Sequence, residues 1–127
     1  MTLEEKVISE LESLGLTITE ANIVIIRDRL ERVTAYVRNF CNREDIPEGL
    51  EPAVADMAAG ETLLQMASFS LLPQGFDVNQ ALKSIRLGDT DVTFADSEAV
   101  NFDAAVSRMR DGAKAEMYRY RKMRWHG

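Results

Sequence analysis

Residues 23–40 constrain this chain more than any other stretch. Ile23, Ile26, Leu30, Val33, Val37 and Phe40 recur at spacings of three and four, which places them along one stripe of an α-helix. Thr19 lies where an N-cap belongs, and Arg27, Asp28, Glu31, Arg32 and Arg38 fall on the other faces. A helix of this length with a single apolar seam has to bury that seam against other helices. The heptads are too few for a dedicated coiled coil, so the partner is expected within the chain.

The flanking segments supply the remaining helices. Thr2 and Glu5 fit a capping box ahead of Leu3, Val7, Leu11 and Leu14, and Gly15 ends that helix at about residue 14. Pro47, Gly49 and Pro52 mark a turn and the start of a third helix, which bears Leu50, Val54, Met57, Leu64 and many small residues. Gly60, mid-helix, costs about 1 kcal/mol relative to alanine, which hints at a close neighbour. Periodicity then lapses from Ser68 to Ala81, around Pro73 and Gly75, so a long loop is expected. Ile85 and Leu87, then Val92 and Phe94, alternate with polar residues about Gly88-Asp89-Thr90-Asp91 and read as a short β-hairpin. Phe102, Val106, Met109, Ala113, Met117, Tyr120 and Met123 place a last helix from about residue 98 or 102 to 123.

The expected fold is therefore mainly α: one domain over residues 1–127, a bundle of about four helices with the hairpin and long loop before the last one. The seams at 23–40 and 102–123 are expected to pack on each other, with the first and third helices covering them.

The 127 residues suit a single core. With 46% hydrophobic and 28% charged residues the chain has the composition of a folded domain. No apolar run is long enough to span a membrane, and Met1 opens an acidic segment rather than a secretion signal, so cytosolic synthesis is expected.

Chemistry is sparse. Cys41 is the one cysteine and His126 the one histidine, and neither a glycine-rich phosphate loop nor a nucleophile–histidine set is present. Neither enzyme activity nor a cofactor or metal is expected. Cys41 closes the seam of the second helix and reads as a small buried hydrophobe.

The net charge of −6 conceals a gradient. Residues 1–63 hold 13 acids and 6 bases, whereas residues 108–127 hold 2 acids and 7 bases. The end of the chain, Tyr118-Arg119-Tyr120-Arg121-Lys122-Met123-Arg124-Trp125-His126, thus stands as a basic tail at about 119–127 on an acidic body. Basic side chains near a helix C-terminus complement its dipole, but that does not account for Trp125. Trp, Tyr and Arg are the types enriched at binding hot spots, while arginines on phosphates with aromatics on bases would suit a nucleic acid.

The order of elements resembles the small head-tail connector family of tailed bacteriophages, also called adaptor or head-completion proteins. The residues that carry the likeness are Val33 to Arg43 leading into Ile46-Pro47-Glu48-Gly49-Leu50, the alanine-rich Ala53 to Ala67, the strand-like Ile85 to Phe94, and the closing Tyr118 to Trp125. The resemblance implies a structural protein that forms a ring under the portal, extends the DNA channel and joins the filled capsid to the tail. Its implied partners are the portal protein, the next connector or tail-completion protein, and its own copies, in a ring of twelvefold symmetry on the portal built from a chain that is monomeric when free. DNA would traverse the ring without specific binding, which an acidic body suits, and no membrane is involved. The implied location is the virion head–tail interface, reached from the host bacterial cytoplasm.

On this reading Tyr118, Arg119, Tyr120, Arg121, Lys122, Arg124 and Trp125 dock on the portal, and the body folds without residues 119–127. Phe76, Ile85, Leu87, Val92 and Phe94 make ring contacts. The alternatives are a small helical nucleic-acid-binding or regulatory module that uses the basic end, and a general protein-interaction domain.

Overall fold

The computed structural model describes residues 1–85 and 102–122. The first two expected helices are present with their caps. Helix α1 spans Leu3–Ser13, and Thr2 and Glu5 close a reciprocal capping box. Gly15 follows at φ +101°, a conformation that a residue with a Cβ adopts only under strain. Helix α2 spans Glu20–Cys41 and is capped by Thr19, whose hydroxyl accepts from the Asn22 N–H while the Asn22 side chain accepts from the Thr19 N–H. Asn42 ends α2 in the left-handed region.

A 3-10 turn over Glu48–Leu50 feeds α3, Glu51–Ser68, with Pro52 in its first turn, where a missing N–H costs nothing. Then come α4, Val78–Ser84, and α5, Phe102–Tyr118.

The third helix, rather than the second, is the hub. Helices α1, α2, α4 and α5 all pack on α3, and α2 meets α5 over a smaller surface than either shares with α3. This corrects the expectation that the seams of α2 and α5 pack chiefly on each other. The reason lies in the composition of α3. Val54, Ala55, Met57, Ala58, Ala59, Gly60, Leu63, Leu64 and Met66 are buried on every side of it, and the small residues leave room for neighbours. Each of the larger side chains among them contributes about 1.5–3 kcal/mol through burial.

Helix α2 supplies Ile26, Val33, Val37 and Cys41 to the core, while Leu30 and Phe40 are only half-buried at its edge. Helix α5 supplies Ala105, Val106, Met109, Ala113 and Met117. Contacts at Arg29–Phe102, Tyr36–Arg110 and Phe40–Tyr118 show that α2 and α5 run parallel. Helix α3 runs opposite to α5, since Arg110 meets Glu61 and Tyr120 lies over Gly49.

The other departures fall after α3. The long loop is interrupted by α4, which begins at Asp77, whose carboxylate accepts the Gln80 N–H as an N-cap. The described residues thus form five α-helices rather than about four, and no strand is present among them. Of the expected hairpin, Leu87, Val92 and Phe94 lie outside the described residues. Its first residue, Ile85, is only 4% exposed and belongs to the core. The last helix stops at Tyr118 instead of residue 123. There the chain exchanges helical bonds for cross-chain ones: the Lys122 N–H donates to the Cys41 carbonyl at 2.8 Å, and the Asn42 side-chain amide donates to the Lys122 carbonyl at 3.0 Å.

Candidate functional site: an aromatic–guanidinium strip between α2 and α5

Three stacked arrangements line the seam where α2 and α5 run side by side. At one end the Arg29 guanidinium lies 5.1 Å from the centre of the Phe102 ring. In the middle Arg110 lies 4.9 Å from that of Tyr36. At the other end Phe40 and Tyr118 meet edge to face at 5.1 Å, and Arg121 covers both, 5.3 Å from Phe40 and 6.0 Å from Tyr118. The four guanidinium–ring separations lie within the range over which a ring face attracts a cation. The helical repeat produces the strip, because positions 29, 36 and 40 lie along one side of α2, next to the buried stripe.

Beneath the strip lies a buried ionic cluster. Glu61 is fully buried on α3. It accepts from Arg110 at 3.0 Å (Nε) and 3.2 Å (Nη2), and from Arg29 Nη1 at 3.5 Å. Burial pushes the Glu61 carboxyl up, and the two guanidiniums pull against that. Each arginine is thus held between a carboxylate and a ring, which fixes its geometry.

An open groove of about 640 Å³ runs along this seam, with Arg29, Arg32, Tyr36, Phe102, Arg110 and Lys114 among its lining. Its cations are matched locally. Arg32 pairs with Asp28 at 3.2 Å and Lys114 with Asp111 at 2.9 Å, while Arg29 and Arg110 hold Glu61. The groove is an amphipathic surface of rings and paired charges.

The expected docking residues that fall within the described stretch divide into three kinds. Tyr118 and Arg121 form the outer end of the strip, and Tyr118 is 57% exposed. Arg119 and Lys122 are exposed, but the backbone of Lys122 is tied to Cys41 and Asn42. Tyr120 is half-buried over Gly49 and packs against the core, and its carbonyl accepts from Arg43 at 3.5 Å. The stretch 119–122 is therefore part of the body rather than a free tail, a correction that follows from these hydrogen bonds. Arg124 and Trp125 lie outside the described residues.

Among the expected ring-contact residues, Ile85 is buried and Phe76 is half-buried against the core. Burial removes Ile85 as a contact residue. The exposed apolar side chains of this region are Phe69 and Leu71, at 59% and 51%, where α3 ends. Nothing in the sequence pattern singled them out.

Burial pushes the Cys41 thiol up, opposite to the shift that activates a nucleophile, and its S–H points to the Met117 carbonyl at 3.6 Å. Among the described residues no three potential ligands cluster to hold a metal ion. Nor is any described helix long and apolar enough to cross a membrane. No family model, curated protein or solved structure matches this chain.

Proposed function

We propose that this protein is a structural head-tail connector of a tailed bacteriophage, which docks on the portal through the α2–α5 strip and binds copies of itself through other surfaces. The observation that carries the reading is the strip itself, above all its exposed end at Phe40, Tyr118 and Arg121. Tyrosine and arginine held in fixed geometry are the groups that anchor protein interfaces, because little conformational entropy remains to be lost on binding.

A second observation supports ring assembly. The strip reaches the end of the bundle where α2 and α5 finish, whereas Phe69 and Leu71 are exposed at the end of α3 that lies opposite. A head-to-tail ring requires two different patches on each subunit. The net charge of −6 agrees with a channel that passes DNA without retaining it.

The test is binding to portal rings encoded in the same genome, with wild type compared to Tyr118→Ala and Arg121→Ala. Each substitution is expected to weaken binding on the order of tenfold or more. In parallel, duplex DNA binding is measured at two salt concentrations. Absence of portal binding together with DNA affinity that falls steeply with salt would favour the nucleic-acid module instead.

A further inference from the structure

The two walls of the α2–α5 groove repeat in step. Arg29, Tyr36 and Phe40 follow one another along α2, and Phe102, Arg110 and Tyr118 answer them along α5, ring against guanidinium or ring against ring. Each step is one or two helical turns. Ridges with that repeat are matched by a further helix laid between them. An extended segment would find no sheet edge to join, since the described residues contain no strand.

The charge along the groove gives its occupant a polarity. In the middle, Arg32 and Lys114 are neutralised by Asp28 and Asp111 of their own helices, at 3.2 and 2.9 Å. The ends are not neutralised. Asp103, exposed in the first turn of α5, lines the groove, and Arg121 lies exposed over Phe40 and Tyr118 at the opposite end. Neither forms an ion pair among the described residues. Between them Ala35, Tyr36 and Val106 offer an apolar lining. Resting on the portal-docking reading of this surface, we infer that the groove receives an amphipathic helix of the portal, acidic where it meets Arg121 and basic where it meets Asp103.

The distance from Asp103 to Arg121 along α5 is about 25 Å, so the occupant has about five turns. Its apolar side chains lie over Tyr36 and Val106, while Arg29 and Arg110 stay on Glu61. Because those two arginines are already held, little side-chain freedom is lost on docking. A nucleic acid suits the groove less well, since its phosphates would face Asp103 and Asp111 in the same lining.

The test titrates portal rings from the same genome with the full chain and its variants, at low ionic strength, where surface charges are least screened. Ser107→Trp fills the groove from an exposed wall position without changing charge, and should weaken binding about tenfold or more. Arg121→Glu and Asp103→Arg should each weaken it about three- to tenfold. Thermal melts confirm that each variant is folded. Carbodiimide coupling reads the polarity: Asp103 should join a portal lysine, and in Arg121→Lys the introduced amine should join a carboxylate of the same portal helix. Tighter binding by Asp103→Arg would identify a uniformly acidic partner, nucleic acid included, and overturn the inference. Loss of binding in Tyr118→Ala, with Ser107→Trp and both charge variants at wild-type affinity, would overturn the helix in the groove while sparing portal docking. A chain that binds no portal in any form would overturn both.

Discussion

Removing Glu61 would leave Arg29 and Arg110 without their shared counter-ion, and the Arg29 side chain is only 8% exposed. An unpaired buried charge is far more costly than a buried pair is favourable, so Glu61→Ala should lower stability by on the order of 3–5 kcal/mol. Urea unfolding near neutral pH measures this directly, and a loss below about 1 kcal/mol would show that the cluster does not hold α2, α3 and α5 together. The sequence contained the clue to this cluster. Glu61 sits in a helix whose other central positions are apolar or small, and Arg29 falls between Ile26 and Val33 on the buried stripe of α2. Counting apolar positions alone placed the seam through Leu30, because periodicity marks which side of a helix is buried but does not reveal a charged residue that finds its partner there.

At the scale of elements, the closure of α5 onto α2 sets the outcome of truncation. Deleting residues 119–127 removes Tyr120 from above Gly49 and breaks the hydrogen bonds joining Lys122 to Cys41 and Asn42. Deleting only 123–127 leaves them intact. The longer deletion should lower the melting temperature by several degrees relative to the shorter one. Equal melting temperatures would mean that the closure contributes nothing to the fold. Gly49 offers a finer test, because an added Cβ would collide with the Tyr120 hydroxyl and lie 2.8 Å from its Cζ. Gly49→Ala is expected to cost about 1–3 kcal/mol in wild type. In a Tyr120→Ala background it should cost much less, a coupling that a double-mutant cycle reads.

These same elements show which features were legible in advance. The helices α1 and α2 were, because their caps and apolar stripes are local signals. The position of α3 as hub was not, since alanines and a glycine give no stripe, and α4 was hidden by its seven residues between turn-forming segments. The end of α5 is not legible in the spacing, because Tyr120 continues the helical period while its carbonyl accepts from Arg43.

At the scale of the whole molecule, an aromatic–arginine surface lies along one edge of the helical bundle, and the exposed apolar side chains of Phe69 and Leu71 lie at its far end. Of this site, Tyr118 and Arg121 were visible in the sequence, while Tyr36, Phe40 and Arg110 joined them only through the parallel packing of α2 and α5. The most direct measurement is a cryo-electron microscopy reconstruction of the full chain mixed with portal rings from the same genome. The expected result of the proposed function is a closed ring of this protein beneath the portal, with Phe40, Tyr118 and Arg121 against portal density and Phe69 and Leu71 against a neighbouring copy. Portal rings that remain bare, or a bound ring whose α2–α5 face is turned to solvent, would contradict it.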